Sequence, residues 1–169
     1  MTRIGLLSDT HGFLDQQILP ILRECDEIWH AGDFGDIKVY DALMNLKKPL
    51  RAVWGNIDNK EIRQLTNEEL TWQVEEKIIF MTHIGGYPGR YPARIRKLLV
   101  DNRPSIFVCG HSHILKIIYD KNLSLLHLNP GAAGREGFQK VRTMLRFNID
   151  GDVVKDMEVL EFGHFGYAQ

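Results

Sequence analysis

Residues 105–113 read Ser-Ile-Phe-Val-Cys-Gly-His-Ser-His, and the architecture of the chain follows from what this stretch is. The run Ile106-Phe107-Val108-Cys109 is short, apolar and sharply bounded, the pattern of a buried strand. It stops at Gly110, and His111 and His113 follow with one small residue between them. In an extended chain, residues two apart face the same way, about 6.6 Å from each other. Both imidazoles are therefore expected to point into one space at the carboxyl end of a strand. In open α/β sheets, ligands bind at that end.

The same event recurs upstream. Residues 3–8 form an apolar run broken by Asp9-Thr10-His11-Gly12. Glu27-Ile28-Trp29-His30 is stopped by Ala31-Gly32-Asp33, and Leu50-Arg51-Ala52-Val53-Trp54 by Gly55-Asn56. Between them lie stretches with helical spacing. Ile18, Leu19 and Leu22 mark one over 15–23, with Pro20 expected to weaken or kink it. Val39, Leu43, Met44 and Leu46 mark a second, ended by Pro49. This is the βαβ rhythm of a parallel sheet with helices outside. Strand ends of such a sheet lie along one edge, which gathers Asp9, His11, Asp33 and Asn56.

The second half is richer in strands. Residues 71–74 and 78–82 flank Glu75-Glu76-Lys77 as a hairpin whose second strand ends at His83. A glycine-rich loop over 85–89 and a helix carrying Ile95, Leu98 and Leu99 lead to Pro104. Residues 114–119 and 123–128 pair around Lys121-Asn122, and 143–149 and 153–162 around Asp150-Gly151, a strong hairpin signal. The tail over 163–169 has no periodicity and is expected to fray. With no linker and no repeat, residues 1–169 read as a single domain of α/β (α+β) class, two sheets face to face with helices outside.

The 169 residues suit one core. Charged residues make up 25% and the net charge is -1, so no global field points to nucleic acid or an acidic membrane. Cys25 and Cys109 read as reduced core thiols. The opening residues match neither a signal peptide nor a membrane span, and a cytoplasmic location is the expectation.

Asp9, His11, Asp33, Asn56, His83, His111 and His113 all stand just beyond apolar strands, and all offer oxygen or imidazole donors. A single residue of this kind is commonly a cap or a turn former. An ordered set of seven is not explained that way. A catalytic zinc site takes three protein ligands and a water. Two ions about 3.5–4 Å apart, sharing a carboxylate, use the whole set. Mixed imidazole and carboxylate donors suit manganese, iron, zinc, nickel or cobalt better than magnesium or calcium alone.

In this order, Asp9-x-His11, Gly32-Asp33, Gly55-Asn56, His83 and Gly110-His111-x-His113 resemble the motifs of the calcineurin-like metallophosphoesterase superfamily, with Asn129-Pro130-Gly131 downstream. Size and layout are similar to its small single-domain bacterial and archaeal phosphodiesterase branch. The resemblance implies a four-layer αββα fold, a β-sandwich between helices. It implies that Asp9, His11 and His113 hold a first metal, that Asn56, His83 and His111 hold a second, and that Asp33 bridges. It implies a metal-bridging water held by Asp33 as the nucleophile, with Asn56 and His83 at the reaction centre. The implied cofactors are two divalent transition metal ions, manganese first and nickel, cobalt, zinc or iron as alternatives.

One position departs from the pattern. Many phosphatases of the superfamily carry a histidine directly after the Asn of the Gly-Asn motif, thought to protonate the leaving group; here it is Ile57, followed by Asp58. Isoleucine transfers no proton, and general acid help is worth about 10²–10⁴-fold in rate. The expectation is therefore a phosphodiesterase acting on a small phosphoester. The alternatives are a phosphomonoesterase on the same site and a non-catalytic scaffold of the same fold, the route taken by the retromer subunit. A scaffold is expected to show eroded ligands.

Other residues carry plainer readings. His30 is expected to support the Asp33 turn, and His127 and His164 to be structural or exposed. Trp29, Trp54 and Trp72 read as core. The basic run Arg90, Arg94, Arg96 and Lys97 reads as a solvated helix face ahead of a nucleic-acid surface. Tyr87, Tyr91 and Phe138, read as exposed aromatics, fit a homodimer. Gly131 to Arg135 lacks the strand–loop–helix context of a dinucleotide site.

Overall fold

In the computed structural model, which describes residues 1–164, the first half alternates strand and helix. The elements are β1 (Thr2–Leu7), α1 (Ile18–Arg23), β2 (Glu27–His30), α2 (Ile37–Met44), β3 (Leu50–Ala52) and α3 (Lys60–Leu65). Pro20 neither kinks nor ends α1, because it lies in the first turn, where its missing N–H has no helical partner to lose. Asp36 caps α2 by accepting from the Lys38 amide. Helix α3 has no counterpart in the sequence reading. It is six residues long and buries only Ile62, too little for a periodic signal.

The second half gives β4 (Glu69–Val74), β5 (Lys77–Thr82), α4 (Ala93–Asn102), β6 (Ile106–Val108), β7 (Lys116–Asp120), β8 (Leu125–Asn129), β9 (Val141–Asp150) and β10 (Val153–His164). One five-stranded sheet has the order β10-β9-β1-β2-β3, the other β4-β5-β6-β8-β7. In the first, β1, β2 and β3 are parallel and β9 joins β1 antiparallel. In the second, β5, β6 and β8 are parallel, with antiparallel β4 and β7 at the edges. The last hairpin thus returns to the first sheet.

Alternation along the strands sets the layers. Ile4, Leu6 and Trp29 of the first sheet face Ile79, Met81, Ile106 and Val108 of the second, with Phe147 among them. The opposite face of the first sheet, Leu7 and Ile28, packs on Leu22, Leu43 and Ile62 from α1, α2 and α3. Phe80 and Phe107 turn the other way, onto Ile95 and Leu99 of α4. Both faces of the central strands are covered, which is why they read as unbroken apolar runs. The result is helix, sheet, sheet, helix.

Trp29 is fully buried, its ring centre 5.0 Å from that of Trp72 and 5.6 Å from that of Phe147, whereas Trp54 and Trp72 are only half-buried. Tyr91 is not an exposed aromatic. Its hydroxyl donates to Asp120 Oδ2 at 3.0 Å and its ring meets Phe107 edge-on at 5.8 Å. Tyr87 and Phe138 are exposed. His127 is fully buried, and burial pushes its pKa down to about 4. In the basic run, Arg94 pairs with Glu69 and Lys97 with Asp101. Cys25 and Cys109 are free and buried. Strand β10 extends to His164, so the first two residues of the segment expected to fray are in a strand. Residues 165–169 and the His164 side chain lie outside the described residues. Among the described residues no helix is long and apolar enough to cross a membrane.

Phe147 fills the space between the sheets with no exposed surface. Phe147→Ala is expected to lower stability by about 3–5 kcal/mol, read as a shift of the urea unfolding midpoint with the slope unchanged.

Candidate metal centre

The carboxyl ends of β1, β2, β3, β5 and β6 meet along one edge of the two sheets, and each carries a polar turn. Asp9 and His11 follow β1, Asp33 follows β2, Asn56 follows β3, His83 follows β5, and His111 and His113 follow β6. The loops are laced by backbone hydrogen bonds. The Asp9 amide donates to Gly32 O at 2.9 Å, the His11 amide to Asp33 O at 3.1 Å, and the Gly110 amide to His83 O at 2.9 Å.

Five of these residues are in the left-handed region, with φ of 54° at Asp9, 45° at His11, 58° at Asp33, 68° at His111 and 59° at His113. Non-glycine residues rarely adopt it, and a cluster of them marks a site where the surroundings hold the backbone in place. This corrects the expectation for residues 111–113. The chain is not extended there, and the two imidazoles do not simply share a direction. Ser112 N donates to Gly110 O at 2.8 Å and turns the loop.

The structure brings six of the seven donor residues into two groups. Ligand atoms of Asp9, His11 and His113 lie within 4.8 Å of one another, and so do those of Asp33, His83 and His111. Asn56 completes the second group through its side-chain oxygen, 3.1 Å from His83 Nε2 and 2.9 Å from His111 Nδ1. The groups meet at Asp33. Its Oδ2 is 3.4 Å from His11 Nε2 in one group and 3.2 Å from His83 Nε2 in the other. Its Oδ1 accepts from the Ile57 amide at 3.1 Å.

The charge balance is unusual. Asp9 and Asp33 are buried, and burial alone would raise both carboxyls. The imidazoles of His11 and His113 at Asp9, and of His11 and His83 at Asp33, outweigh burial and hold both well below the usual carboxylate range. In return Asp33, and after it Asp9, lifts His11 far above the ordinary imidazole range. His111 moves the other way: burial lowers it.

Two buried atoms are nevertheless unserved. Asp9 Oδ1 and His11 Nε2 make no hydrogen bond, although His113 Nε2 is 3.1 Å from Asp9 Oδ1. With the imidazoles neutral, as ligation requires, the converging oxygen and nitrogen lone pairs suit a cation. Imidazole and carboxylate donors fit a divalent transition metal.

Other side chains fix the orientation of the donors. His83 Nδ1 donates to Ala31 O at 2.7 Å, which leaves Nε2 free to ligate. His113 Nδ1 meets Gln139 Oε1 at 2.8 Å, and Gln139 Nε2 donates to Glu136 O at 2.6 Å. Asp9 Oδ2 accepts from Ser8 Oγ at 2.6 Å and from the His111 amide at 3.0 Å. Asn129 Nδ2 donates to Gly110 O at 2.9 Å and so anchors the His111 turn. A side chain at Gly110 would run into Ser8 Oγ and into Asp9 Oδ2 at 2.7 Å, so only glycine fits between them.

His30 supports the Asp33 turn as expected. Its Nδ1 accepts from the Gly32 amide at 3.1 Å, and its Nε2, then protonated, faces Thr10 Oγ1 at 3.1 Å. Burial keeps it neutral, with a pKa down to about 3. Asp58 was not singled out by sequence. It is buried, its Oδ1 accepting from Gly35 N at 2.9 Å and its Oδ2 from Gly55 N at 2.8 Å, which ties the Asp33 and Asn56 loops together. An aspartate closing a Gly-Asn turn is the only signal the sequence offers for it. Gln139 offers none, standing 26 residues from His113 in an irregular loop.

A family model described as the calcineurin-like phosphoesterase superfamily domain matches residues 2–152. A Methanocaldococcus jannaschii protein named as a phosphodiesterase is 26% identical over 149 residues, covering 76% of this chain and 82% of that one. Among solved structures, Vps29 of Entamoeba histolytica complexed with zinc matches with a TM-score of 0.73 at 19% identity, over 94% of this chain and 98% of that one. A structure described as a novel archaeal phosphodiesterase matches with a TM-score of 0.72 at 19% identity, over 94% and 99%.

Among the described residues Gln139 hydrogen-bonds to no other donor of the first group, so Gln139→Ala separates ligand orientation from ligand loss. It is expected to weaken manganese binding about 10–100-fold by calorimetric titration, with little change in melting temperature.

Proposed function

The chain belongs to the calcineurin-like phosphoesterase superfamily, and we propose that within it this protein is a phosphodiesterase working with two divalent transition metal ions. Asp9, His11 and His113 hold one ion, and Asn56, His83 and His111 the other, with Asp33 shared. Manganese is the first candidate and nickel, cobalt, zinc and iron the others. When bound, such ions lower the pKa of a water toward neutrality and neutralise charge on phosphoryl oxygens. The observation that carries this reading is Asp33 Oδ2, within 3.4 Å of an imidazole from each donor group.

The chain's own residues do the rest. His83 is held by Ala31 O and His113 by Gln139, so both present Nε2 without reorganising. Asn56 offers an oxygen beside His83 and His111 at the open side of the centre. Ile57 has no proton to give, and it is 45% exposed. Asp58 does not replace it: both its oxygens accept backbone amides, and it is 4% exposed. The leaving group then departs without an acid from this turn. That favours aryl over alkyl leaving groups, and the resemblance to the small phosphodiesterase branch adds the preference for diesters.

The phosphodiesterase name of the Methanocaldococcus jannaschii relative supports the same direction. A scaffold reading draws on the fold shared with Vps29. The intact donor set and its two unserved atoms weigh against it. A single domain spanning residues 1–169 remains part of the proposal.

Assays with manganese, nickel, cobalt and zinc supplied separately are expected to give faster turnover of bis-p-nitrophenyl phosphate than of p-nitrophenyl phosphate. The reverse order would establish a monoesterase, and no turnover with Asp33→Asn indistinguishable from the parent would establish a scaffold. Metal analysis gives a second check. His111→Ala and His113→Ala are each expected to retain about one equivalent of metal rather than two. Competition between them should show that different sites are lost.

A further inference from the structure

Beside Asn56 and His83 of the second donor group opens a cavity of about 260 Å³. Trp54, Ile84, Pro92 and Ile95 form its apolar walls, and Glu68 and Arg94 also line it. Ile84 directly follows His83 and is 46% exposed, a large apolar side chain beside a charged centre. A single exposed isoleucine needs no explanation. Here it shares a cavity with an indole and with donors of the proposed metal centre.

Three facts narrow what fits. Ligand pockets for drug-sized molecules span about 300–1,000 Å³; at about 260 Å³ this one encloses about one ring system, with the rest of any larger ligand outside it. Arg94 is paired with Glu69, so the charge it brings to the rim is already partly balanced. Trp54 is held from outside the cavity: the Arg63 guanidinium stacks on its ring at 4.3 Å while Arg63 Nε donates to Asp58 O at 2.7 Å. A fixed indole with aliphatic neighbours suits a flat, uncharged surface.

The geometry points to a substrate subsite here: Trp54, Ile84, Pro92 and Ile95 receive a planar, uncharged ring carried on the phosphoryl group being processed. The substrate class is then an aryl-type phosphoester. This rests on the phosphoesterase reading above, because the cavity gains its meaning from Asn56 and His83 at its mouth.

The test uses two ligands that differ only in the ring, phenylphosphonate and methylphosphonate, neither of which is hydrolysed. Calorimetric titration of the manganese-loaded protein is expected to give at least about tenfold tighter binding of the phenyl compound, or about 1.4 kcal/mol. Ile84→Ser and Trp54→Ala are expected to cut that preference below about threefold while methylphosphonate binding and manganese content stay as in the parent. Ile84 is at the surface, so its variant decides the matter if Trp54→Ala fails to fold. Equal or absent binding of the two ligands by the parent, or a preference that survives Ile84→Ser, overturns the subsite. A protein that prefers the phenyl ligand yet hydrolyses no phosphoester keeps a ring-binding cavity beside the donors but loses the proposed function, and with it the cavity's role as a substrate subsite. One that hydrolyses diesters with no ring preference does the opposite.

Discussion

Asp33 and Asp9 are two buried carboxylates placed where two sheets meet, and neither can be left unpaired there. Removing the partner of a buried charge costs about 3–5 kcal/mol. The countercharge comes from both sheets. At Asp33 it is His11 from the turn after β1 and His83 from the end of β5. At Asp9 the nearest imidazole is His113, from beyond β6. The electrostatics of the edge therefore demand that both sheets end at one level, and the packing between Trp29, Phe147, Val108 and Met81 sets that level.

The backbone bears part of the cost. Five of the seven donor residues have positive φ, and a left-handed residue with a Cβ costs roughly 1–2 kcal/mol. The strain is held by the lacing between loops: Gly32 O, Asp33 O and His83 O each take an amide from a neighbouring turn. Asp58, and Asn129 at the end of β8, then pin the Gly55 and Gly110 turns. Conformation, hydrogen bonding and donor geometry are here one arrangement, with little freedom to change one part alone.

Much of this was legible in the sequence because strands buried on both faces stop abruptly. Residues 27–30 became β2 without a change of boundary, and every donor residue sits just past a strand. What escaped has a physical reason in each case. Helix α3 buries one side chain and leaves no period. The turn at 111–113 reads as extended by spacing alone, because nothing in His-Ser-His announces positive φ. Tyr91 looks like a surface aromatic until Asp120, 29 residues away, accepts its hydroxyl. Gln139 reaches His113 across a similar gap. Contacts between distant loops depend on tertiary placement, which local pattern does not carry.

The two donor groups also differ in how they use the sheets. The first takes Asp9 and His11 from one sheet and His113 from the other; the second takes Asp33 and Asn56 from one and His83 and His111 from the other. Any cation held by either group therefore ties the two sheets together. Binding to the folded state alone adds RT ln(1 + [L]/Kd) to stability, so the sandwich and the centre reinforce each other. The short strand Ile106–Val108 is pivotal in this, since it is the central strand of the second sheet, points Ile106 and Val108 into the core between the sheets, and carries a donor for each group past its end. That is why His111 and His113, only two residues apart, belong to different groups: the left-handed turn between them swings one imidazole toward Asn56 and the other toward Asp9.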